Sequence, residues 1–88
     1  MMDEDWQLIS FVSRSKYRTS ILKRLNDKPS TPSKISEDLS IPRPSTSQEL
    51  KQLEEKDLVK KLTEARKGRF YDITDKGKKI LKKVKDLE

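Results

Sequence analysis

Apolar positions along this chain keep a helical period up to about residue 57, switch to an alternating one, and end on a helical one. Residues 3–12, DEDWQLISFV, predict a helix led by acids, which suit the positive end of a helix dipole. Its apolar residues, Trp6, Leu8, Ile9, Phe11 and Val12, cover so wide an arc that more than one side must be buried. In SRSKYRTSILKRLND, Ser15 is a candidate N-cap, and Tyr17, Ile21, Leu22 and Leu25 follow at helical spacing. Asn26 to Ser30 reads as a turn around Pro29. Thr31-Pro32 opens a short helix, a capping hydroxyl followed by proline at the first helical position, and this helix ends near Ser40. The next helix spans about 44–56, with Thr46, Leu50 and Leu53 on one stripe and Gln48, Lys51, Gln52 and Glu55 opposite.

The period then changes. In LVKKLTEARKGRFYDIT, Leu58, Lys60 and Leu62 alternate, as do Tyr71 and Ile73 around Asp72, which predicts a β-hairpin joined by the polar TEARKGR. Gly68 falls in that loop, where positive φ is expected. Thr74 or Asp75 caps a last helix over 75–87, with Ile80, Leu81, Val84 and Leu87 on one side. The expected architecture is mainly α with a small β-hairpin (α+β), in one domain of 88 residues.

Composition narrows the chemistry. Apolar residues are 31% and charged ones 41%, so the core is small and a second subunit would help it. The chain has no cysteine and no histidine, which removes thiolate and imidazole ligands and the usual general base. No paired acid and base or phosphate-cradling glycine loop is visible, so an enzyme is not expected and no cofactor or metal site is implied. No apolar run is long enough to cross a bilayer, and the Met-Met-Asp-Glu-Asp start is acidic, unlike a signal peptide, so a cytoplasmic location is expected.

A short helix, a tight turn and a second helix with hydroxyls at its start form the helix-turn-helix pattern, and a hairpin directly after it makes a winged helix. The stretches SFVSRSKYRTSILKRL, TPSKISEDLSIPRPSTSQELKQLEEKDLV and GRFYDITDKGKKIL cover most of residues 10–81. Within them, L-x-x-L-E-E-K-x-L-V is followed by G-R-x-Y-x-[LI]-T-x-x-G. In these motifs the chain resembles archaeal winged-helix transcriptional regulators of the broad ArsR/MarR-like class. It departs from them at Ser40 and Asp57, where that class carries glycine, and both positions are expected to be left-handed.

The resemblance implies a recognition helix at about 44–56 and a wing at about 58–74. Pro44 pre-sets φ for the first helical turn and pushes Arg43 toward an extended conformation, so Arg43 is expected to project from the helix tip. Small side chains at Ser45 and Ser47 let that tip approach a phosphate or a groove. The positions carried over as DNA contacts are Arg43, Ser45, Ser47, Gln48 and Lys51, with Gln52 at the edge, while Thr46 matches a core position. Arginine pairs with guanine and glutamine with adenine in a major groove. Two plainer readings stay open: the prolines only stiffen a turn, or Ser45 and Gln48 form a capping box.

Charge is unevenly placed. The whole chain has 21 Lys/Arg against 15 Asp/Glu, a net of +6. Residues 30–57 hold four basic and six acidic residues, a net of −2, whereas residues 58–88 hold eleven and five, a net of +6. Acids are excluded from Arg43–Gln48. Arg66, Lys67 and Arg69 form a basic cluster that would grip DNA phosphates with little sequence information; otherwise it is a solvated loop. The terminal helices, about 3–12 and 75–87, are expected to dimerise through Trp6, Phe11, Leu81, Val84 and Leu87, unless they only cover their own core. The expected function is sequence-specific binding of double-stranded DNA by a homodimeric transcriptional regulator. The alternative is a winged-helix module that docks a protein in a transcription or RNA-processing assembly, a role suited to the net negative helix-turn-helix. No membrane partner is expected, and no residue identifies a small-molecule effector.

Overall fold

A computed structural model describes residues 2–62 and 70–87. The order is α1 (Met2–Ser13), α2 (Lys16–Asp27), α3 (Pro32–Leu39), α4 (Arg43–Glu55), β1 (Val59–Leu62), β2 (Phe70–Ile73) and α5 (Asp75–Leu87). Arg66, Lys67, Gly68 and Arg69 lie outside the described residues.

Local chemistry accounts for where the helices start. The Ser15 hydroxyl accepts from the Arg18 amide at 3.3 Å, and the Thr31 hydroxyl accepts from the Lys34 amide at 3.1 Å. Thr74 caps α5, its hydroxyl accepting from the Gly77 amide at 2.9 Å and donating to the Asp57 carbonyl at 2.7 Å. Each cap satisfies an amide that the helix itself leaves without a partner, worth about 1 kcal/mol.

α3 and α4 end in the same way. Ser40 (φ 56°) and Asp57 (φ 67°) are left-handed, as expected of the positions where glycine is missing. After α3, the Ser40 amide donates to Glu37 and the Ile41 amide to Ser36, at 3.3 and 3.0 Å. After α4, the Asp57 amide donates to Glu54 and the Leu58 amide to Leu53, both at 2.9 Å. This pair of bonds is the Schellman motif. At the second site the two residues at the positions of its usual apolar contact, Leu53 and Leu58, are both fully buried.

α2 is the centre of the packing, contacting α1, α3, α4, α5 and β2. Its Ile21, Leu22 and Leu25 meet Val12, Ile35, Leu50, Leu53, Leu58, Ile73 and Ile80 in one core. A fully buried side chain of this kind contributes about 2 kcal/mol relative to exposure. In the hairpin Val59 pairs with Ile73, Lys60 with Asp72, Lys61 with Tyr71 and Leu62 with Phe70, antiparallel. The alternation expected from Leu58 shifts by one residue: Leu58 belongs to the helix-end motif, and the buried strand position is Val59. Asn26–Ser30 is more than a turn, for Ser30 bridges the free edge of β2 through two backbone bonds with Tyr71, at 2.8 and 3.0 Å.

The terminal helices pack on each other within the chain. Leu81 and Val84 are only 1% and 2% exposed, so these two expected dimer contacts belong to the chain's own core. The reason is geometric: the stripe shared by Ile80, Leu81 and Val84 is the one that faces α1 and α2. Phe11 is half-buried. Trp6 and Leu87 remain, each 63% exposed. Asp5 ties the two helices together, 3.2 Å from Lys79 and 3.5 Å from Lys83. No helix among the described residues is long and apolar enough to cross a membrane.

Candidate nucleic-acid interface

α4 begins one residue earlier than its proline suggested. Arg43 is its first residue and Pro44 its second, and the extended residue is Pro42 (φ −55°, ψ 141°). The bias of a pre-proline residue toward extended backbone is overridden here by two bonds. The Pro42 carbonyl accepts from the Thr46 amide at 2.9 Å and from the Thr46 hydroxyl at 3.1 Å. Thr46 is fully buried, so the core holds this turn closed. Arg43 therefore leaves from the first helical turn, still exposed, and not from an extended strand ahead of it.

No side chain caps α4, which removes the capping-box reading of Ser45 and Gln48. Pro42 and Pro44 carry no amide hydrogen, so two of the donors that a helix start leaves without partners do not exist. The tip keeps the amides of Arg43 and Ser45 at the positive end of the helix dipole. Arg43, Pro44, Ser47, Gln48 and Lys51 are exposed and Ser45 is half-exposed. The structure thus gathers five of the six expected α4 contacts on one accessible surface.

Gln52 stands apart. Its side-chain oxygen accepts from Arg18 Nη2 at 2.9 Å, which turns it toward α2. Arg18 also donates from Nε to Glu49 Oε1 at 2.9 Å and from Nη1 to the Phe11 carbonyl at 2.7 Å. Its guanidinium lies 3.9 Å from the centre of the Phe11 ring, a stacked cation–π contact. One side chain therefore joins α1, α2 and α4, and it draws Glu49 to the α2 side of α4, away from the exposed tip. Sequence reasoning missed Arg18, because its partners lie 31 and 34 residues away and no local pattern marks them. A second clamp joins α2 to α3, where Arg24 Nε donates to Asp38 Oδ2 at 2.9 Å. That hydrogen bond, with the nearby Lys34, holds the Asp38 carboxyl below its usual value despite opposing desolvation.

The exposed face of α4 has a wall on one side. Ser47, Lys51 and Glu54 share a hollow of about 320 Å³ with Pro32, Lys61 and Tyr71. Among the described residues, no group of three or more acids, histidines or cysteines comes together to hold a metal.

The chain belongs to the family described as the HVO_A0261 N-terminal domain, whose model matches residues 6–88. No curated protein matches it. Among solved structures, the fold is similar to the transcriptional regulator BldR from Sulfolobus solfataricus, with 23% identity over 83% of this chain and 54% of that one, and a TM-score of 0.78. It is also similar to ZitR from Lactococcus lactis, solved in complex with DNA, with 26% identity over 82% and 51% of the two chains and a TM-score of 0.73. The oxidized form of MarR from E. coli shares 20% identity over 98% and 65%, with a TM-score of 0.76. The chain spans about half the length of BldR and ZitR. The helices and antiparallel hairpin form an α+β winged-helix fold.

Proposed function

We propose that this chain is a sequence-specific transcriptional regulator of double-stranded DNA, of the broad ArsR/MarR-like class and with no enzymatic activity. The observation that carries the reading is the start of α4. It is exposed, free of acids from Arg43 to Gln48 and left without a side-chain cap, on a helix held rigidly by Thr46 and Arg18. Its chemistry suits a groove: Arg43 and Gln48 match the edges of guanine and adenine, and the small Ser45 and Ser47 permit close approach. The DNA complex of ZitR, which has the same fold, supports duplex DNA as the partner.

In this reading α4 enters the major groove, and Arg66, Lys67 and Arg69, between β1 and β2, contact the backbone or minor groove. The active form is a homodimer, with the exposed Trp6 and Leu87 on the paired α1 and α5 as its contacts. Such a dimer places two recognition helices about one DNA turn, roughly 34–36 Å, apart.

A gel-shift series with genomic fragments at moderate salt tests the proposal. Saturable binding to a subset of fragments is expected. Replacing Arg66, Lys67 and Arg69 together by alanine should weaken binding to every fragment and flatten its salt dependence. Gln48→Ala should change the preference among fragments. If no fragment binds saturably, the protein-docking alternative takes its place.

A further inference from the structure

Period-two alternation sorts the hairpin into two faces. Val59 pairs with Ile73 and Lys61 with Tyr71, so these four share one face. Val59, Tyr71 and Ile73 are buried, and β1 and β2 pack against α4 and α2 respectively. Lys61 is exposed although it continues the core-facing row, and it stands beside α4 at the rim of the hollow of about 320 Å³. Lys60 lies on the opposite face, across from Asp72. On the α4 side, Ser47, Lys51 and Glu54 are spaced i, i+4, i+7, so a single stripe of the helix forms the wall.

We infer that this hollow seats one backbone phosphate of the bound duplex, held by the ammonium groups of Lys51 and Lys61 and the hydroxyl of Ser47. The inference rests on the DNA-binding reading above. Two ammonium groups from different elements approach the anion from both sides, and the serine adds a short donor near the helix tip. Glu54, two helical turns along the stripe from Ser47, repels the anion and confines it to the Ser47 end. A phosphate fixed between α4 and β1 sets how deep and at what angle the helix enters the groove, which is the work of backbone contacts. The root of the hairpin thus joins the interface through Lys61, and Lys60 stays outside it.

The experiment is fluorescence anisotropy of the full chain on labelled duplexes across a salt series, for wild type, Lys61→Ala, Lys60→Ala and Glu54→Gln. Lys61→Ala should weaken binding to all duplexes about three- to tenfold and lower the salt slope by about 0.9, one phosphate's worth. Lys60→Ala should leave the slope unchanged, and Glu54→Gln should tighten binding. Substituting methylphosphonates one position at a time should reveal a backbone position whose neutralisation weakens wild type and does not further weaken Lys61→Ala. If wild type binds and Lys61→Ala keeps its full slope, or no such position exists, the phosphate seat is wrong and the DNA reading stands. If wild type binds no duplex at all, both are wrong.

Discussion

At its C-terminal end α4 is closed by the protein itself. The amides of Asp57 and Leu58 bond back to Glu54 and Leu53, the Thr74 hydroxyl reaches the Asp57 carbonyl, and the Thr74 amide takes the Leu58 carbonyl at 3.0 Å. Gly77 presses so close that an added Cβ would clash with the Leu58 carbonyl oxygen and lie 2.7 Å from Ile73 Cγ1. The N-terminal end is the opposite. No side chain caps it, two prolines thin out its amides, and apart from the buried Thr46 its side chains reach solvent. The same helix is closed by the chain's own groups at one end and left without a side-chain cap at the other. The T-x-x-G stretch, Thr74 to Gly77, belongs to the closed end: the threonine caps α5 and the glycine allows the close approach.

The largest effect should come from forcing the closed end open. Gly77→Ala has no room, because the clash is with backbone, and it should cost about 3 kcal/mol, read as a lower urea midpoint and melting temperature. An unchanged melting temperature would break the account of that end. The next largest concerns the open end. Ser45→Glu puts an acid in the first turn of α4, where the helix dipole favours it by about 0.5 kcal/mol. Thermal stability should hold or rise slightly, while affinity for duplex DNA falls about tenfold or more, since a carboxylate there meets the phosphates. Binding that survives Ser45→Glu would mean the tip is not the contact surface.

Smaller gains should follow from glycine at the two left-handed positions. Ser40→Gly and Asp57→Gly each relieve a backbone that side chains disfavour and should raise stability by about 0.5–1 kcal/mol in urea unfolding, with DNA affinity unchanged. The subtlest test uses acid. The hydrogen bond from Arg24 holds Asp38, and that from Lys79 holds Asp5, below the usual value of 3.8, although desolvation opposes both. A carboxyl lowered in the folded state stabilises above its unfolded value, and this contribution disappears as pH falls through the folded one. As pH falls below the usual value of 3.8, Asp38→Asn and Asp5→Asn should lose less stability than wild type does.

The same contrast explains what could be read from the residues in order. The left-handed turns at Ser40 and Asp57 were expected from the resemblance, at positions where that class carries glycine, whereas caps at Ser15, Thr31 and Thr74 depend on neighbours within three residues, so the local string carries them. The buried stripe of Thr46, Leu50 and Leu53 was legible for the same reason. Arg18 was not, because its bonds to Glu49 and Gln52 exist only once α2 and α4 are packed, and this also withdrew Gln52 from the exposed face. The bridge from Ser30 to Tyr71 is equally non-local. The start of α4 misled for a different reason. A proline's local bias against helix at Arg43 lost to the tertiary anchoring of Thr46. Likewise, an apolar stripe on α5 says that something covers it, and here the cover is the chain's own α1 and α2.

In the proposed function, duplex DNA binds at the open end of α4. Titrating isotope-labelled protein with a duplex it retains in gel shifts, and following its backbone amides by NMR, tests this most directly. The largest shifts should fall on residues 43–51 of α4, on Lys61 of β1 and on Arg66, Lys67 and Arg69, with little change at Lys56–Leu58 or along the solvent face of α5. Shifts concentrated on α1 and α5, with Arg43 to Lys51 unmoved, would contradict it.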